Sequence, residues 1–181
     1  MKRMSSSRDV PGLLSSHSRA AAGAPEIGHS LFVLRHYYKL EDWLTIDADL
    51  AFARARFKDL DPVGNRIPGS VEGVASVALA VDNIGPYFGA LQWRYFGPRP
   101  LIEDNSVRSN STATFNARIG YKIKKDLHVE LEGYNLTNRQ ASAIDYYYTS
   151  RLQGEPAAGR NGVHFHPLES RSFRVSFNTK F

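Results

Sequence analysis

The chain has 181 residues, 42% hydrophobic and 23% charged, enough for one sizeable core or for part of a larger assembly. With no Cys, disulfides, thiolate metal sites and cysteine nucleophiles are excluded. The formal charge of +5 suits an anionic lipid or lipopolysaccharide surface, but Lys and Arg are scattered instead of gathered into a stripe, so no nucleic acid is expected as a partner.

The opening residues, "MKRMSSSRDVPGLLSSHSRAAAGAPEIG", are basic, and their only apolar run before Ala20 is Leu13-Leu14. A secretory signal needs about seven or more consecutive apolar residues. Met1 to Gly28 is therefore expected to be a disordered Ser/Ala/Gly leader, set apart from residues 29–181. No stretch approaches the roughly 20 apolar residues of a spanning helix. The 10 Phe and 9 Tyr against 2 Met favour sheet, because ring side chains suit a pleated surface.

From His29 the pattern has period two. "LFVLRHYYK" is apolar on both faces near its start, which leaves its register open. "WLTIDADLAF" then sets Leu44, Ile46, Ala48, Leu50 and Phe52 against Thr45, Asp47, Asp49 and Ala51. "VEGVASVALAVD" alternates from Val71 to Asp82 with smaller residues. "YFGALQWRYF" sets Tyr87, Leu91, Trp93 and Tyr95 against Phe88, Gln92, Arg94 and Phe96. "STATFNARIGYKI" sets Phe115, Ile119, Tyr121 and Ile123 against Thr114, Asn116, Arg118 and Lys122. "LHVELEGY" sets Val129 and Leu131 against Glu130 and Glu132, and "RSFRVSFNTKF" sets Phe173, Val175, Phe177 and Phe181 against Arg174, Ser176 and Lys180.

These are seven strands, most of about ten residues. At roughly 3.3 Å per residue and a tilt near 40°, each covers about 25 Å, the height of an outer-membrane apolar band. "KLED", "NIGP" and "KKD" are short connections, whereas "KDLDPVGNRIPGS", "GPRPLIEDNSVRSN" and the stretch from Asn138 to Ser170 are long and rich in Gly, Pro and Asn. Short turns on one side and long loops on the other are the habit of transmembrane barrels. In that reading Tyr87, Tyr121 and Phe181 form one interfacial aromatic girdle, and Trp93 and Tyr95 the opposite one. Two other architectures fit the same alternation: a soluble β-sandwich binding module, and a small complete barrel of about eight strands, structural or adhesive, in which "YYYTSRL" adds a strand.

The residues from Thr112 to Phe181 resemble the C-terminus of a TonB-dependent outer-membrane receptor. The likeness lies in "TFNARIGYKI", in "LHVELEGYNLTNR" with its corner at Asn135, Leu136, Asn138 and Arg139, and in an ending of the form "ESRSFRVSFNTKF". It extends back to about His29. The resemblance implies an all-β fold, an antiparallel transmembrane barrel segment of about seven strands, in the cell outer membrane. It also implies nutrient uptake of a siderophore, metal chelate, carbohydrate or similar cargo, and a C-terminal membrane-assembly signal at Phe173, Val175, Phe177 and Phe181. Implied partners are outer-membrane lipid and lipopolysaccharide, the barrel-assembly machinery, and TonB through a plug domain. Such receptors close a barrel of about 22 strands around the plug. No plug or TonB-contacting box is found among these residues, so the chain is expected to be a truncated, transport-inactive fragment.

No enzyme chemistry, cofactor or metal site is expected. Asp47 with Asp49, or Glu130 with Glu132, share a strand face as an acid/base pair would, but their expected partners are Arg94, Arg118 or Arg174 on the same wall. His164 and His166 point the same way on an extended segment, yet two ligands without a third make a poor metal site. Tyr146 to Tyr148 read as a strand extending beyond the apolar band in preference to a ligand contact. Arg99, Arg108, Arg151 and Arg160 are candidates for lipopolysaccharide phosphates.

Overall fold

A computed structural model describes residues 12–18, 26–58 and 64–179. Ten strands are present among them: β1 (Gly12–Ser18), β2 (Ile27–Glu41), β3 (Leu44–Phe57), β4 (Gly73–Ile84), β5 (Tyr87–Phe96), β6 (Thr112–Lys124), β7 (Leu127–Tyr134), β8 (Ser142–Ser150), β9 (Arg160–Pro167) and β10 (Ser172–Thr179). Eight form one antiparallel sheet in the order β1-β2-β3-β4-β5-β6-β7-β10, and β8 pairs only with β9.

The period-two pattern decides how these strands meet. In an antiparallel pair, directly opposed residues share a face, so a slip of one residue would place Asp against Leu across the whole sheet. Within the strands no such slip occurs; the register shifts only beside the short turns, between Lys39 and Glu41, Val81 and Ile84, and Lys122 and Lys124. Ile46 opposes Leu79, Leu79 opposes Leu91, Leu91 opposes Ala117, Ala117 opposes Gly133 and Gly133 opposes Phe173. On the other face Asp49 opposes Ser76, Ser76 opposes Arg94 and Arg94 opposes Thr114. The register that β2 left open is settled by pairing: Phe32 opposes Phe52 and Leu34 opposes Leu50, while Arg35 opposes Asp49 at 3.8 Å.

The apolar face is uncovered. Phe115, Leu131, Val175 and Phe177 expose 37%, 43%, 59% and 74% of their surface. A sandwich would bury these side chains under a second sheet, at about 1.5–3 kcal/mol of stabilisation each. Among the described residues nothing lies over them, and the buried apolar positions are Leu101 and Pro100, both in a loop. The sandwich alternative is thereby overturned.

The short turns Asp42-Trp43, Gly85-Pro86 and Lys125-Asp126 gather at one end of the sheet, and the long connections at the other. Four expectations need correction. The leader expected to be disordered contributes β1, whose Leu14 opposes Leu31 of β2. A backbone strand satisfies the open edge that a 15-residue β2 presents, whatever the hydropathy of its sequence. The eighth strand of the sheet is therefore β1, not the "YYYTSRL" segment, and the sheet runs from β1 to β10 without closing. Val71 and Glu72 lie outside β4, which begins at Gly73. The long connection expected from Asn138 to Ser170 holds the hairpin β8–β9: the strand read at Tyr146 to Tyr148 is present as β8, whereas β9, with its flanking Gly and Pro, was not expected.

Packing on the polar face is close at one point. A side chain at Gly120 would place its Cβ 2.0 Å from Phe88 Cζ, because the Phe88 ring lies across the glycine and meets His128 edge-on at 5.5 Å. Gly120→Val is expected to expel the ring and lower stability by about 1–3 kcal/mol, read as an earlier midpoint of urea unfolding in micelles. An unchanged midpoint would show that the ring is free to leave.

Candidate functional site at the long-loop end

The corner "NLTNR" is where β7 leaves the sheet. Asn135 and Asn138 adopt φ of 47° and 50°, a left-handed conformation that Asn tolerates better than other side chains. Asn135 is only 5% exposed and works as a hub. Its Oδ1 accepts from Arg139 N at 2.9 Å, and its Nδ2 donates to Glu169 O at 2.8 Å and Arg139 O at 3.1 Å. Its own N–H donates to Asn116 Oδ1 at 3.0 Å, and Leu136 N donates to Phe115 O at 2.8 Å. Asn138 Oδ1 accepts from Arg171 N at 3.0 Å. The corner thus ties β6, the entry to β8 and the entry to β10 together.

The loop from Gly97 to Ser111 folds on itself. Leu101 N donates to Val107 O at 2.9 Å, and Ser109 N donates to Arg99 O at 2.9 Å. Glu72 joins this loop to the preceding one. Its carboxylate accepts from Arg66 Nη1 at 2.8 Å and from Arg108 Nη2, and Arg56 Nη1 stands 3.8 Å away. Burial alone would push the Glu72 carboxyl up, but the hydrogen bonds from Arg108 and Arg66 outweigh it and hold the group below the usual carboxylate range.

The hairpin is fastened to the same loop. Arg99 Nη2 donates to Asp145 Oδ2 at 3.2 Å, a pair almost wholly removed from solvent. A cleft of about 390 Å³ lies between them, lined by Pro68, Leu101 and Tyr146 to Tyr148 among others. On the hairpin's opposite face Tyr148 stacks on His164 at 3.9 Å and Tyr146 meets His166 edge-on at 6.3 Å, beside an open groove of about 660 Å³. Each histidine is thus engaged with a tyrosine ring, and among the described residues no cluster of three metal-ligating side chains occurs.

The other expected site residues fall as follows. Tyr87 opposes Tyr121 near the short turns with ring centroids 5.2 Å apart, and Trp93 stacks with Tyr95 at 5.9 Å towards the long loops. Phe173, Val175 and Phe177 share the exposed apolar face of β10, while Phe181 lies outside the described residues. Of the carboxylate pairs, Glu132 takes Arg174 Nε at 2.6 Å and the Tyr134 hydroxyl at 2.9 Å; Asp49 takes Arg35 instead of the anticipated arginines. Arg99 and Arg108, expected to be free for phosphates, are engaged by Asp145 and Glu72. The Glu72 cluster escaped sequence reading because its arginines come from sequence separations of 6, 16 and 36 residues and from β3 and two different loops.

No family model matches the sequence, and no curated protein aligns with it significantly. Solved structures do share the fold. The ferric yersiniabactin uptake receptor FyuA from Yersinia pestis matches with a TM-score of 0.66 at 17% identity, over 87% of this chain and 24% of that one. The copper transporter OprC gives 0.68 at 16%, over 94% and 28%. The siderophore receptor PiuA from Acinetobacter baumannii gives 0.67 at 14%, over 87% and 22%. The likeness is one of fold, and the chain spans about a quarter of the length of these proteins.

Because the folded Glu72 carboxyl titrates below its ordinary value of 4.5, the cluster's contribution is present above that pH and is lost as pH falls through the lowered one. Limited proteolysis of the two loops is expected to accelerate below about pH 4.5 in the natural chain. In Glu72→Gln it should be fast at pH 7 already and nearly flat with pH. A parallel pH profile in the two proteins would remove Glu72 from the role.

Proposed function

We propose that the chain forms part of the wall of a TonB-dependent receptor barrel in the outer membrane of a Gram-negative cell, and that it is not an enzyme. The observation that carries this is the apolar face, exposed from β2 to β10 with His36 of β2 its polar exception at mid-sheet, and backed on the same strands by Asp, Glu, Arg and Asn. Lipid against one face and a wet lumen against the other satisfy both without a second sheet. The fold shared with FyuA, OprC and PiuA supports the same reading.

In this reading the long-loop end faces outwards and the short turns face the periplasm. Tyr87 with Tyr121, and Trp93 with Tyr95, sit at the two interfaces. Phe173, Val175, Phe177 and Phe181 are the signal read by the barrel-assembly machinery, and TonB is reached only through a plug domain. The cargo is a siderophore, a metal chelate, a carbohydrate or a similar nutrient; the neighbours named for ferric yersiniabactin and for copper favour a metal chelate. This portion supplies wall and not pathway, since an open eight-stranded sheet encloses no channel, and by itself it is inactive in transport.

Two substitutions on adjacent residues of β5 test the assignment of faces. Leu91→Lys puts an ammonium on the apolar face at mid-strand and is expected to cost about 2–4 kcal/mol, emptying the urea-washed outer-membrane fraction. Gln92→Lys, on the polar face, is expected to be recovered there like the natural chain. Recovery of both proteins in the soluble fraction would defeat the membrane reading.

A further inference from the structure

The hairpin β8–β9 is covered along one edge and open along the other. Beside β8, Arg99 Nη2 donates to Asp145 Oδ2 at 3.2 Å and to Ala143 O at 3.5 Å, and Pro68, Gly69 and Leu101 stand along the same strand. Among the described residues β9 pairs with β8 alone, so the backbone groups of its outer edge meet no strand. Val163 and Phe165 of this strand expose 47% and 59% of their surface.

An open edge is normally protected by a charged side chain, a proline or a bulge, because its unpaired N–H and C=O groups are a template for another strand. Residues 161–166 of β9 carry none of these. The segment has no Lys, Arg, Asp or Glu, its register with β8 is regular, and the one proline, Pro167, comes after it.

The sequence of the edge complements itself. Facing residues of an antiparallel pair share a face, and a two-fold axis at His164 sets that residue against the His164 of a second copy. Val163 of each copy then meets Phe165 of the other, Gly162 meets His166, and Asn161 meets Pro167. A β-branched side chain against an aromatic ring is a favourable cross-strand pair. The nearest flanking charges are opposite in sign, Arg160 before the segment and Glu169 after it, so antiparallel pairing brings an Arg beside a Glu at each end.

We infer that the β9 edge joins two copies of this chain through antiparallel pairing of residues 161–167, giving one four-stranded sheet in the order β8-β9-β9-β8. The pairing is independent of what covers the apolar face of the main sheet, since the hairpin is a separate sheet.

The chain has no Cys, so a single introduced thiol reports the register. Facing Cα atoms in an antiparallel pair lie about 4.5–5.5 Å apart, within reach of a disulfide. In the full-length chain in detergent micelles, His164→Cys is expected to form a disulfide-linked dimer at least about tenfold faster than Asn161→Cys, whose thiols would stand about 20 Å apart along the strand. Sedimentation in density-matched micelles should show a monomer–dimer equilibrium for the natural chain. Phe165→Lys, which charges the edge, should weaken it at least about tenfold, and Leu152→Lys, exposed at the hairpin tip, should leave it unchanged. A monomer at every concentration, equal cross-linking of the two Cys variants, or a dimer weakened alike by both Lys variants or by neither would overturn the pairing. Resistance to urea extraction from vesicles, followed separately, tests the membrane reading: a retained monomer defeats this pairing alone, and an extracted dimer defeats the membrane reading alone.

Discussion

A strand lying between two solvents must satisfy both with the same residues, because side chains i and i+2 share a face and i+1 takes the other. The order of the main sheet follows from that constraint. Seven successive strands obey it, and the antiparallel pairing then has a single register in which Leu79 meets Ile46 and Leu91 while Ser76 meets Asp49 and Arg94. The backbone is satisfied by the neighbouring strands, so the sheet needs no core of its own, and among the described residues the buried apolar side chains, Pro100 and Leu101, lie in a loop.

Order beyond the strands comes from polar chemistry. Asn135 replaces a packed core at the corner by four hydrogen bonds from one side chain and its own amide, reaching three chain segments. Glu72 links the β3–β4 and β5–β6 loops through guanidinium groups, and Arg99 with Asp145 fastens the hairpin. These contacts are charge-assisted and partly shielded, which makes them stronger than exposed surface pairs and more sensitive to the loss of one partner. Loops held this way can keep a defined shape without apolar cover.

The two faces also divide the labour of the proposed function. The polar face carries paired charges, such as Arg174 with Glu132 and Arg35 with Asp49, that suit an aqueous wall. The apolar face carries none until Arg54, where its column passes from Phe52 to guanidinium within two residues.

Sequence by itself determined the strands whose two faces differ strongly in polarity. β5 and β7 begin and end where alternation predicts, and the lipid-type and water-type positions of β3 to β7 and β10 follow from residue type alone. It also carried the corner at Asn135, since left-handed backbone and side-chain acceptors are properties of Asn itself. Only the tertiary structure decided the register of β2, whose Leu31 to Leu34 are apolar on both faces, and the place of β1, which is recruited by an open backbone edge instead of by hydropathy. The pairing of β8 with β9 and the arginines around Glu72 also belong there. Their contacts join residues far apart in the chain, and no local pattern of charge or period records which distant partner a side chain will meet.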